Sequence, residues 1–193
     1  MLLLQRLGSV HRSVHGDGLD ILERILSTCE QMLRDRGCGR VTRAADRDAA
    51  VAEGLPLMHG SGGREVDVYV HGEDKVGVKA ARLALEARAH AKVEVVMISP
   101  DGPTPFTRKE CEDAIQFFCA RDVCVNVTRH ALVPKHDKVD APPPSTSVEA
   151  LPKILTTDRV VQYYAWPVGT VVRVWRCYGG HEPVPYFRVV AAA

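Results

Sequence analysis

The run Val93-Glu94-Val95-Val96-Met97-Ile98 constrains this chain more than any other stretch. A nearly continuous β-branched and aliphatic segment of this length suits a strand buried on both faces, and such a strand needs helices on both sides of its sheet. The flanking sequence provides the remaining elements. Upstream, Val66-Asp67-Val68-Tyr69-Val70 alternates as a strand does, and His71 to Asp74 forms a short turn. Lys75 to Lys79 then reads as a second strand antiparallel to the first, and Ala80 to Ala91 is helical by composition. Downstream, Thr107-Arg108-Lys109-Glu110 has the spacing of a capping box, opening a helix that would bury Cys111, Ile115, Phe118 and Cys119. Val123 to Val127 reads as one more strand. Strands alternating with helices in this order predict a mixed sheet with flanking helices, an α/β architecture.

The ends of the chain are built differently. A helix opens near Leu19, with apolar residues at 22, 25, 26, 29, 32 and 33 forming one stripe, and Gly37 stands where it would stop. Thr42 to Glu53 reads as a weaker second helix, and Gly60-Ser61-Gly62-Gly63 as a flexible connector. After Asn126 the pattern changes. Pro134 and the tract Ala141-Pro142-Pro143-Pro144 interrupt regular structure, and residues 137–147 read as an exposed loop. Thr157-Asp158 caps a short helix through Tyr164, Thr170 to Arg176 is a strand, Gly179-Gly180 a turn, and Val184 to Val190 a returning strand. The expected organisation is therefore an α/β domain over residues 1–128 and a small α+β module over 129–193.

Charge and composition narrow the function. With 46% apolar and 25% charged residues and a net charge of +1, the chain is not a generic polyanion binder. From residue 129 onward eight Lys and Arg face five Asp and Glu, so the second part carries +3 and the remainder −2. None of the six cysteines forms a Cys-x-x-Cys pair, so zinc-ligand spacing is absent and reduced thiols are expected. No run reaches membrane-spanning length. Residues 1–16 carry Arg6, His11, Arg12 and His15 and no acid, a composition shared by transit peptides but more plainly read as an extension of the first helix.

Few motifs carry chemistry. Asp67 with Glu73-Asp74-Lys75 resembles the Asp…Glu-x-Lys set that holds magnesium in restriction-type nucleases, but the second part falls in a tight turn, where a charged surface turn is the plainer reading. Gly60 to Gly63 precedes a strand rather than a helix, so it cannot present a helix N-terminus to phosphate. No serine- or cysteine-nucleophile signature is present. Thr104-Pro105-Phe106-Thr107-Arg108-Lys109 gathers a turn, two cations and an expected helix start, an edge suited to sequence-independent phosphate contact.

Several short segments, taken in order, resemble the fifth-largest shared subunit of eukaryotic nuclear RNA polymerases and its shorter archaeal counterpart. Glu73-Asp74-Lys75-Val76-Gly77-Val78-Lys79 is similar to the family's Glu-x-x-Val-Gly-Ile/Val-Lys segment, and Thr104-Pro105 to its Thr-Pro turn. His130-Ala131-Leu132-Val133-Pro134-Lys135-His136 is similar to His-x-Leu-Val-Pro-x-His. Leu151-Pro152-Lys153-Ile154, Asp158 with Tyr163-Tyr164, Gly169 to Arg176, and Phe187-Arg188 match later family segments in sequence. The resemblance covers residues 19–193 and identifies the chain as a divergent member. The Pro-rich tract replaces a family helix, Ala165 replaces a glycine after Tyr-Tyr, and Pro167-Val168 replaces a Lys-Arg pair.

The resemblance implies a non-catalytic subunit of a nuclear DNA-directed RNA polymerase with no cofactor or metal of its own. Its N-terminal jaw, restriction-nuclease-like in fold, would lie beside downstream double-stranded DNA, with Thr104, Pro105, Arg108 and Lys109 as contacts. Its C-terminal assembly domain, the part shared with archaea, would dock on the largest polymerase subunit and its neighbours, with Leu132, Pro134, His136, Tyr163, Tyr164, Arg173 and Arg176 as interface residues. Two other readings stand beside it: a free-standing magnesium-dependent nuclease on the same core, and a regulatory adaptor independent of polymerase.

Overall fold

The computed structural model describes residues 18–88, 92–144, 146–177, 179 and 182–193, with backbone alone for 18–20. Residues 1–16 and residues 89–91 lie outside the described residues, and the helix expected to reach Ala91 already ends at Glu86. The chain divides at Val125/Asn126 into two compact units. Each is a mixed α/β structure built on its own mixed sheet.

In the first unit the apolar stripe becomes the buried side of α1 (Gly18–Asp35): Leu22, Ile25, Leu26, Cys29, Met32 and Leu33 are all buried. Burying each large aliphatic side chain stabilises by about 1.5–3 kcal/mol. The helix stops at Gly37, whose φ is +98°. The Cys38 amide donates to Leu33 O and the Gly37 amide to Arg34 O, each at 3.0 Å. This paired arrangement satisfies carbonyls that the helix end leaves open, and glycine supplies the left-handed residue without steric cost. Burial holds the Cys29 thiol up at about 12, against the pull of Arg36 and Arg43, so it behaves as a core hydrophobe.

The unit continues with β1 (Arg40–Arg43), α2 (Arg47–Glu53), β2 (Met58–Ser61), β3 (Val66–Val70), α3 (Val78–Glu86), β4 (Glu94–Ser99), α4 (Pro105–Cys111), β5 (Ile115–Cys119) and α5 (Ala120–Val123). The strands lie in the order β1-β2-β3-β4-β5, antiparallel across the first two pairings and parallel across the last two. As its composition requires, β4 is buried from Val95 to Ser99. On one face Tyr69, Val95, Met97 and Ile115 pack with Ala81 and Ala84 of α3 and Cys111 of α4. On the other, α1 packs against β1 and β2.

Five expectations drawn from local sequence are corrected by the structure. Thr42 to Glu53 is not one helix: Arg40–Arg43 pairs with β2, and α2 starts only after Asp46, whose carboxylate accepts from the Ala49 amide at 3.0 Å. Gly60 and Ser61 belong to a strand rather than a connector. A side chain on Gly60 would place Cβ 2.7 Å from Cys38 Sγ, so the residue is there for close packing. Lys75 to Lys79 is not a strand: Val76 makes one parallel bridge to Pro103 and α3 begins at Val78. Ile115, Phe118 and Cys119 lie on β5, not on a helix. Finally, Val123 to Val127 is the end of α5 followed by a 3-10 turn.

The second unit starts with that 3-10 turn (Val127–Arg129), then β6 (Lys135–Val139), a second 3-10 turn (Val148–Ala150), β7 (Lys153–Leu155), α6 (Arg159–Tyr164), β8 (Val171–Arg176) and β9 (Val184–Ala191). The order is β6-β8-β9-β7, with only β7–β9 parallel. Because β6 extends to Val139, the loop is shorter than the expected 137–147. Ile154, Val161, Val172, Val174 and Val190 form the core, with Trp166 against it. Asp158 caps α6 as its position predicts, accepting from the Val160 and Val161 amides at 2.8 and 3.4 Å. No described helix is long and apolar enough to cross a membrane.

Candidate interaction surfaces

At the expected DNA edge, Thr104 rather than Thr107 caps α4. Its Oγ1 accepts from the Thr107 amide at 3.2 Å, and Pro105 occupies the first turn, where a missing N–H costs nothing. Glu110 is not a capping residue; it faces Arg82 at 3.7 Å. The consequence is electrostatic. Arg108 and Lys109 lie in the last turn of a seven-residue helix, at its negative end, so no positive helix terminus reinforces them. Both are exposed, and Phe106 beside them is 61% exposed.

Asp67, the second residue of β3, is fully buried. His59 Nδ1 lies 2.6 Å from its Oδ1, and the Arg88 guanidinium pairs with Oδ2. Arg88 also faces the Tyr69 hydroxyl. Burial raises the Tyr69 pKa from its ordinary value. For Arg88, burial pulls the pKa down but Asp67 and Tyr69 outweigh it, and the result is raised. Both carboxylate oxygens are thus committed to protein groups, whereas Glu73 sits in an exposed turn 3.6 Å from His71. Among the described residues no group of three or more His, Cys, Asp or Glu side chains is placed to hold a metal ion.

In the second unit the segment leading into β6 forms a surface. Leu132 is 86% exposed. His136 Nδ1–H donates to Pro134 O at 2.6 Å, so in the neutral ring Nε2 is the acceptor nitrogen. Leu132, Pro134 and Arg176 line a groove of about 940 Å3 together with Trp175 and Pro183. Pro134, His136 and Arg176 also line a second groove of about 560 Å3.

The other three expected interface residues lie elsewhere. Tyr163 is buried, and its hydroxyl accepts from Asn126 Nδ2 at 3.0 Å. Tyr164 meets Tyr163 edge-on at 5.1 Å and stacks on Trp166 at 4.5 Å. Arg173 points to the sheet face opposite Val172 and Val174, with its guanidinium 4.8 Å from the Trp175 ring.

That face holds a cluster the motif reading did not include. Asp137, opposite Arg173 in register, accepts from Trp175 Nε1 at 2.7 Å and Arg173 Nη2 at 3.4 Å, with Lys135 Nζ at 3.2 Å. Burial pushes the Asp137 carboxyl up, but hydrogen bonds from Trp175, Lys135 and Arg173 outweigh it and hold it below its ordinary value. The available signal was strand alternation: residues 173 and 175 share a face, and their antiparallel neighbours 137 and 135 share it with them. No family model matches the chain.

Proposed function

We propose that the chain is a non-catalytic subunit of a nuclear DNA-directed RNA polymerase, a divergent relative of the fifth-largest shared subunit. Its first unit is a jaw beside downstream DNA, on a restriction-nuclease-like core. Its second is an assembly module that docks on the largest subunit. One observation carries the reading: the family-like segments occur in one order between Glu73 and Arg188. The residues in those segments have structural work consistent with a shared fold. Val133-Pro134 leads into β6, Asp158 caps α6, and Gly169, at φ +88°, turns the chain into β8. The exposed Leu132 and the grooves beside it give the second unit a surface suited to a protein partner.

The test is affinity purification of the tagged full chain from its own cells. The two largest polymerase subunits should co-purify, and the largest subunit recovered identifies the polymerase class. Their absence would defeat the proposal. The nuclease reading has to overcome the ion pair and hydrogen bond on Asp67. Magnesium-dependent DNA cleavage by the purified chain, abolished by Asp67→Ala, would establish that rival instead.

A further inference from the structure

The groove of about 560 Å3 in the second unit combines two surface chemistries. Its floor is apolar, from Val133, Pro134, Ile154 and Val160. Lys153, Arg176 and Arg188 are on its lining, as are Arg159 and His136. Its one carboxylate, Asp158, accepts from the α6 amides through Oδ1 and offsets one of the four Lys and Arg charges, so the lining stays net positive. Among the described residues, no carboxylate lies at ion-pair distance from Lys153, Arg176 or Arg188.

Two of these cations are held in place by contacts that leave their charge uncompensated. Arg188 Nη1 donates to Lys153 O at 2.9 Å, and the Arg176 guanidinium rests 5.5 Å from the centre of the Tyr186 ring. Like charges gathered around one hollow repel each other, and an anionic occupant relieves that repulsion. The floor selects among anions. No Phe, Tyr or Trp lies on the lining, so nucleic acid bases would find only the His136 ring and guanidinium planes to stack on, and phosphates alone would leave the apolar floor unused. Carboxylates interspersed with aliphatic side chains satisfy both parts.

We propose that this groove is the docking site for an acidic, aliphatic peptide segment of a partner protein. The inference rests on the polymerase reading only for the partner's identity, a neighbouring polymerase subunit.

A fluorescein-labelled Glu/Leu peptide titrated into the full chain tests it by anisotropy. Binding should be saturable and should weaken as salt rises. Lys153→Glu with Arg176→Glu should weaken it by about tenfold or more, and Lys153→Glu alone, on an exposed side chain, in the same direction. The single variant gives the answer if the double variant does not fold, as tryptophan emission would show. Absence of peptide binding, or binding unchanged by these substitutions, overturns the proposal. So does tighter binding of a single-stranded oligothymidine with the same sensitivity, which would make the groove a nucleic-acid site. A second comparison separates this inference from the previous one. If wild-type tagged chain recovers no polymerase, the functional reading fails. If wild type and the double variant recover it equally, only the groove proposal fails.

Discussion

Ala165 follows the last turn of α6 with φ 51° and ψ 47°, the only described non-glycine residue at positive φ. A side chain in that conformation brings Cβ against the following carbonyl, at a cost of about 1–2 kcal/mol. The helix still ends there because the Ala165 amide reaches Gln162 O at 3.2 Å and the Trp166 amide reaches Val161 O at 3.2 Å, while Trp166 packs on the core. The resemblance drawn from the sequence made this position visible as a departure, an alanine where the subunits it resembles have glycine, but only the backbone geometry gives it an energy. Ala165→Gly should stabilise the second unit by about 0.5 kcal/mol, the relief of strain less the greater freedom of the unfolded glycine. Both tryptophans, Trp166 and Trp175, lie in this unit. A urea titration followed by their fluorescence therefore reads it directly. The midpoint should rise with unchanged slope; a fall would mean that Ala165 is not strained.

At the scale of elements, α1 was legible because its stripe repeats at the helical period over about three turns, and β3 and β4 because β-branched residues crowd short windows. β5 was not. Cys111, Ile115, Phe118 and Cys119 fit a helical stripe as well as they fit the end of one element and the inside of the next. What decides between them is pairing with β4, a tertiary term absent from local spacing. β1 and β2 failed for a related reason: Arg40–Arg43 is mostly exposed, and Gly60 looks like a loop residue until Cys38 is seen packed against it. The Asp137 cluster shows the same dependence on register, since it joins β6 to β8. Its carboxyl has a lowered folded pKa. Its stabilisation is therefore complete above the unfolded value of about 3.9 and is lost as pH falls through the folded value. Asp137→Asn should cost about 1–2 kcal/mol at neutral pH. The difference from wild type should close as the pH falls below about 3.9, again read by tryptophan fluorescence. A gap that persists undiminished in acid would assign the loss to packing rather than to charge.

For the whole molecule, the distribution of charge opposes the simplest view of where DNA would lie. The expected DNA edge is on the first unit, whose 125 residues carry a net −2, while the second carries +3. A long-range field therefore does not steer a duplex toward Arg108 and Lys109, and the last-turn position of these residues removes the helix-dipole contribution too. What remains is local: two exposed long cations whose attraction for phosphate is felt only within a Debye length, roughly 8–10 Å at 0.1–0.15 M salt. If the proposed jaw contact is real, Arg108→Glu with Lys109→Glu should weaken duplex DNA binding most at low salt. It should also lower the slope of log affinity against log salt by about 2, one released counterion for each lost contact. Fluorescence anisotropy with a short duplex over a salt series measures both. An equal loss at every salt concentration would exclude direct phosphate contact at this edge. An unchanged curve, combined with loss on Lys153→Glu, would move the DNA contact to the positively charged second unit and would argue against the acidic-peptide assignment of its groove.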